Sequence, residues 1–137
     1  MMRMVIRRLT RALLPALLLP LGLLACTPAP DAPQDFRRIN GREAKEIMER
    51  EESYVLIDAR TQSEYDTGHI PGAILMPETE VASRAESEIP DKDALILVYC
   101  RSGRRSKIAA QALVDLGYTN VYEFGGIIDW EYETVIE

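Results

Sequence analysis

Cys100 is followed by Arg101, Ser102, Gly103, Arg104, Arg105 and Ser106, so one thiol stands beside three guanidinium groups and a residue free to turn the backbone sharply. Ala94-Leu95-Ile96-Leu97-Val98-Tyr99 before it is apolar without two-residue alternation, the pattern of a strand covered on both faces. Ile108, Ala109, Ala112, Leu113 and Leu116 after it form a helical stripe, and Gly117 stands where a helix would stop. The cysteine is therefore expected at the carboxyl end of a central strand, just before a helix, where open α/β sheets bind ligands. Unpaired N–H groups at the helix start and the three arginines favour thiolate over thiol. Gly103 lets the loop curl until several amides converge on the sulfur. The chemistry implied is nucleophilic attack by a sulfur anion. The competing assignment, a buried structural cysteine at a strand end, gives the arginines and the glycine no task.

Other residue types narrow the possibilities. Asp58 and Arg60 could contact an anionic substrate or form structural ion pairs or hydrogen bonds. His69, the only histidine, titrates near neutrality in principle but lies in Gly68-His69-Ile70-Pro71-Gly72, where holding a turn is the simpler role. No His or Cys cluster has metal-ligand spacing and no glycine-rich phosphate loop occurs, so neither a metal nor a cofactor is expected. Formal charge is −6, and −10 without the four arginines of the first 25 residues, which argues against nucleic-acid binding.

The elements that must position Cys100 follow from pattern. Asn40 and Glu43 have capping-box spacing, and Ala44, Ile47 and Met48 share a face, which predicts a helix over 41–50. Tyr54 to Ile57 reads as a buried strand ending at Asp58, 61–67 as one or two helical turns, and Ala73 to Met76 as a short strand. Residues 78–88 read as a mobile acidic helix, Val121 to Phe124 as a strand, and Gly125-Gly126 opens a last amphipathic segment with Trp130 packing onto the sheet. Strands alternate with helices, so the fold class is α/β, with a mainly parallel central sheet and helices on both faces.

The first 25 residues look like an address. Arg3, Arg7, Arg8 and Arg11 precede an apolar run over 12–25 that is too short and too broken by Pro15, Pro20 and Gly22 to span a membrane comfortably. Leu23-Leu24-Ala25-Cys26 is similar to the lipobox of bacterial lipoproteins, in which the cysteine is lipidated and becomes the N-terminus. The expected organisation is a signal peptide over 1–25, a Pro-rich lipid-anchored tether over 26–36 and one domain over 37–137. Localisation is expected at the cell envelope, with Thr27 after the cysteine suggesting the outer membrane, facing the periplasm, of a Gram-negative cell.

Three segments, in order, resemble the rhodanese (sulfurtransferase) family. Val55 to Arg60 with Glu64-Tyr65 and Gly68 to Ala73 resembles its first signature. Val98 to Ser106 with Ala109-Ala110 and Leu113 resembles its active-site loop and following helix, and Gly125-Gly126 with Trp130 its closing motif. One departure is Leu75, where the family often has Asn; it is expected to be a packing change away from the cysteine. The resemblance implies that Cys100 accepts a sulfane sulfur as a persulfide and passes it on, and the positions of Asp58 and Arg60 within it suggest structural ion pairs or hydrogen bonds near the loop. The donor is a small anion such as thiosulfate or a persulfide, and the acceptor cyanide or a thiol. Arg101, Ser102, Gly103, Arg104 and Arg105 are the expected substrate-binding residues, and the sequence names no protein partner. Related phosphatases separate cysteine and arginine by five residues, whereas here Arg105 follows after four and Ser106 stands next. The alternative from another class is a non-catalytic module that binds a partner or carries persulfide.

Overall fold

The computed structural model describes residues 35–137. The signal peptide, Cys26 and nearly all of the tether lie outside the described residues. In chain order the elements are β1 Arg37–Arg38, α1 Gly41–Arg50, β2 Val55–Asp58, α2 Gln62–Asp66, β3 Ile74–Leu75, α3 Val81–Glu88, β4 Ile96–Cys100, α4 Arg104–Asp115 and β5 Val121–Gly126, followed by a 3-10 turn over Ile127–Asp129. The five strands form one parallel sheet in the order β1-β5-β4-β2-β3, so the strand that ends at Cys100 is central.

Two-residue alternation along β4 divides the core and aims the cysteine. Leu97 and Tyr99 turn to one face, where Ala44 and Ile47 of α1 pack with Leu56, Ile70 and Phe124. Ile96, Val98 and Cys100 turn to the other, against Val81 and Ala85 of α3 and Ala109, Ala110, Leu113 and Val114 of α4. Cys100 therefore faces the helix that begins immediately after it. α1 starts at the expected capping box, in which Asn40 accepts the Glu43 N–H at 2.9 Å and Glu43 accepts the Asn40 N–H at 2.8 Å.

Two details depart from the sequence reading. The acidic segment read as a mobile helix over 78–88 is a helix docked on the core, because Val81 and Ala85, one turn apart, are both fully buried. The buried face of α4 is also rotated from the expected stripe. Ala109, Ala110, Leu113 and Val114 turn inward with Ser106, whereas Ile108 is 47% exposed. The helix starts at Arg104, and burying Ser106 at its first turn sets that rotation.

The β4–β5 pairing carries an irregularity beside the cysteine. Val98 pairs with Glu123 but Cys100 pairs with Gly126, so β5 takes three steps where β4 takes two. Gly125 lies in the extra stretch with φ +87°. Gly126 follows, and a β-carbon there would sit 2.0 Å from the Arg101 carbonyl oxygen, so only glycine lets β5 approach the loop this closely.

Candidate active site

Cys100 Sγ lies at the floor of the loop joining β4 to α4, with the residue 1% exposed. Gly103 adopts φ +97° as the N-cap of α4, which turns its N–H back toward the strand, and that N–H donates to Sγ at 3.0 Å. The thiol donates to Ser106 Oγ at 3.4 Å, one turn into α4. Ser106 Oγ donates to Glu123 Oε1 at 2.7 Å and lies 3.3 Å from the Gly125 carbonyl oxygen. Glu123, 2% exposed, also accepts the Gly125 N–H at 2.9 Å.

Burial pushes the Cys100 thiol up, but the hydrogen bonds that its anion can accept, from the Ser106 hydroxyl and from the backbone N–H groups of Ser106, Gly103 and Ser102, outweigh it. The net position is below an ordinary thiol. The main stabilisation of sulfur charge therefore comes from amides and a hydroxyl, with Arg105 adding a Coulombic share, where sequence reasoning gave much of the task to three arginines. Arg101 and Arg104 are exposed. Arg105 is turned aside into a bidentate pair with Glu64, with both Nη–Oε distances at 2.7 Å.

That pair is built by α2. Thr61 caps the helix and Glu64 closes the capping box, with Oε2 accepting the Thr61 N–H at 3.1 Å. The same carboxylate that starts α2 thus also holds Arg105. Its hydrogen bonds to Arg105, reinforced by Thr61, prevail over burial and hold the Glu64 carboxyl at about 2. Arg105, Thr61, Gln62, Leu75, Glu78 and Arg84 line a cavity of about 410 Å³. Leu75, expected to be a packing change away from the cysteine, lines this cavity with Arg105 of α4. On the other flank of the loop, Arg38, Glu43, Ser102, Gly103, Lys107 and Glu123 are among the residues lining a second cavity of about 360 Å³.

Asp58, Arg60 and His69 are all buried. Arg60 Nη2 donates to Asp58 Oδ2 at 2.7 Å and to the Gly68 carbonyl oxygen at 2.8 Å, tying the end of β2 to the turn after α2. Tyr99 donates to Asp58 Oδ2 at 2.7 Å and accepts the Ile70 N–H at 3.1 Å, so the residue before Cys100 is bolted to the same pair. Burial, reinforced by Asp58, pushes the Tyr99 phenol far up, which keeps it a donor. His69 stacks on Tyr65 with ring centroids 3.6 Å apart, its Nδ1 lies 3.1 Å from the Tyr65 carbonyl oxygen, and its backbone pairs with Val135. Among the described residues no group of three His, Cys, Asp or Glu side chains is placed to hold a metal ion.

Sequence reasoning did not single out Glu64, Tyr99 or Glu123 as site residues, and it quoted Ser106 only as part of the loop. Thr61-x-x-Glu64 was a readable capping signal, and Glu123 stood out as a lone acid inside the apolar run Val121-Tyr122-Glu123-Phe124.

Comparison with known proteins agrees with this architecture. The family model described as "Rhodanese-like domain" matches residues 41–133. Thiosulfate sulfurtransferase PspE of Escherichia coli is 41% identical over 73 residues, which cover 53% of this chain and 70% of that protein. A protein named sulfurtransferase from Allochromatium vinosum is 44% identical over 80 residues, covering 58% and 73% respectively. Among solved structures, a rhodanese with anions from E. coli superposes with a TM-score of 0.59 at 36% identity, covering 62% of this chain and all of that one. With its parallel five-stranded sheet, its cysteine loop between β4 and α4 and these matches, the chain belongs to the rhodanese-like domain family.

Proposed function

We propose that this protein is a sulfurtransferase that carries sulfane sulfur on Cys100. The observation that carries the reading is the buried sulfur accepting the Gly103 N–H at 3.0 Å, in a loop whose amides and hydroxyl draw the thiol below its ordinary value. Relatives named thiosulfate sulfurtransferase and sulfurtransferase support it.

The Cys100 thiolate attacks the outer sulfur of a donor such as thiosulfate. The S–S bond of the donor breaks, sulfite leaves with the bonding electrons, and a persulfide anion remains on Cys100. Cyanide or a thiol then attacks the outer sulfur, and Cys100 leaves as thiolate. The N–H groups of Ser102, Gly103 and Ser106 favour negative charge on sulfur at the start of each half-reaction. Arg101 and Arg104, exposed at the loop, attract the anionic donor, and Arg105 contributes positive charge from its fixed pair with Glu64. The protein works at the cell envelope, tethered through a lipid on Cys26 and, in a Gram-negative cell, facing the periplasm from the outer membrane. The leader and Leu23-Leu24-Ala25-Cys26 support this placement.

The test is intact mass spectrometry after incubation with thiosulfate or a low-molecular-weight persulfide. One added sulfur is expected, removed by cyanide and absent in Cys100→Ser. A folded protein that takes up no sulfur from any donor overturns the proposal.

A further inference from the structure

Glu123 is a carboxylate buried inside a strand of the sheet, a placement that costs stability unless its oxygens are satisfied. Its Oε1 accepts two hydrogens, from Ser106 Oγ at 2.7 Å and from the Gly125 N–H at 2.9 Å. Ser106 Oγ is in turn 3.4 Å from Cys100 Sγ, so sulfur and carboxylate meet across one hydroxyl. A serine hydroxyl carries a single hydrogen. While that hydrogen is on Glu123, Ser106 can meet the sulfur only as an acceptor, and an acceptor favours S–H. A sulfur anion needs the same hydrogen for itself.

We propose that Glu123 is a positioning residue that governs the ionisation of Cys100 through Ser106. It holds the hydroxyl hydrogen while the sulfur is a resting thiol and yields it when the sulfur carries charge, as thiolate or persulfide. On ionisation the S–H proton leaves to water and the Ser106 hydroxyl rotates from Glu123 to sulfur, with no other bond made or broken. Glu123 Oε1 then keeps the Gly125 N–H. The arrangement keeps a resting cysteine protonated and lets a charged sulfur recruit the hydroxyl as a donor besides the backbone amides.

The charged groups facing this chain come from every neighbouring element. Arg38 of β1 has Nε 3.7 Å from Glu123 Oε2, and its side chain is 68% exposed. Glu43 of α1 and Lys107 of α4 line the cavity that Glu123 borders. Arg105 of α4, paired with Glu64 of α2, acts on Cys100 from the opposite flank, with Glu78 near that arginine. Arg101 and Arg104 point to solvent.

The test is the alkylation rate of Cys100 by iodoacetamide as a function of pH, read at the Cys100 peptide by mass spectrometry. Glu123→Gln is isosteric: its amide oxygen still accepts from Ser106 and Gly125 while the charge is gone. Sulfur and carboxylate lie within about 6 Å through the hydroxyl. A carboxylate holds the hydroxyl hydrogen more tightly than an amide oxygen does, so the midpoint of the profile is expected to move down by about one pH unit, roughly a tenfold larger thiolate fraction on the acid limb. In a Ser106→Ala background the same substitution is expected to move the midpoint by less than half as much, because the hydroxyl that transmits the effect is gone. Arg38→Gln, an exposed change that leaves Glu123 less neutralised, is expected to move the midpoint up by a few tenths of a unit. It gives a result of opposite sign even if Glu123→Gln does not fold.

An unchanged or raised midpoint in folded Glu123→Gln overturns the proposal, as does an equal shift with and without Ser106. If Glu123→Gln does not fold, a fixed or lowered midpoint in Arg38→Gln does the same. The inference rests on Cys100 being the reacting sulfur of the proposed transferase. Alkylation reads that sulfur with no transfer step, so failure to form a persulfide and failure of this test are separate results.

Discussion

Replacing Glu64 with glutamine removes the charge that fixes Arg105 beside the cysteine loop. Both guanidinium Nη atoms lie 2.7 Å from the Glu64 oxygens, and the pair, with help from Thr61, lowers the carboxyl from an ordinary 4.5 to about 2. A carboxyl depressed in the folded state adds stability above its unfolded value, and that stability is lost as pH falls through the folded one. Full linkage over this interval would be about 3 kcal/mol at ~1.4 kcal/mol per pH unit. The Glu64 side chain is 27% exposed and Arg105 17%, so solvent screening brings the expected contribution to roughly 1–2 kcal/mol. Urea unfolding followed by circular dichroism should therefore show Glu64→Gln less stable by about that amount at neutral pH. The gap should hold down to about pH 4.5, lose more than half by about pH 3 and close near pH 2. Every other carboxylate titrates in both proteins and cancels in the difference. A gap that stays constant from about pH 7 to pH 3, or no gap at neutral pH, would refute a charged and partly desolvated Arg105–Glu64 pair.

Gly126→Ala places a β-carbon 2.0 Å from the Arg101 carbonyl oxygen and 2.6 Å from Ser102 Cα, both backbone atoms of the loop. The loop must move, at a cost of about 2–3 kcal/mol, and with it the Gly103 N–H that donates to sulfur. Thermal melting should fall and the Cys100 alkylation midpoint should rise; a variant with both unchanged would show that the loop yields freely. Lipidation at Cys26 is checked by labelling cells with a fatty-acid analogue, where Cys26→Ser should lose the label and leave the membrane fraction. Label retained in that variant removes the anchor.

Local and long-range features leave different traces in the chain. Helix and strand order was legible because each element is a local pattern. The Asn40–Glu43 box, the unbroken apolar run before Cys100 and Gly117 after the stripe each lie within a few residues of what they specify. The family, too, was carried by contiguous segments. What the side chains of the site do to one another was legible only in part. Asp58 and Arg60 are two residues apart and their pairing could be expected. Arg105 and Glu64 are 41 apart and Ser106 and Glu123 are 17 apart, and neither pairing leaves a local mark.

From sequence alone came a cysteine at the end of a central parallel strand, followed by a glycine able to turn amides toward it. These depend on apolar periodicity and on the backbone freedom of single residues. Tertiary structure alone decided which groups meet the sulfur. A register irregularity between β4 and β5 brings Gly126 against the loop. The rotation of α4 turns Ser106 inward, and α2 draws Arg105 to Glu64. Charge counted along the chain put three arginines on the cysteine. Hydrogen-bond geometry gives the sulfur to backbone amides and a serine, because a contact is settled by where packed elements aim their atoms and not by distance in sequence.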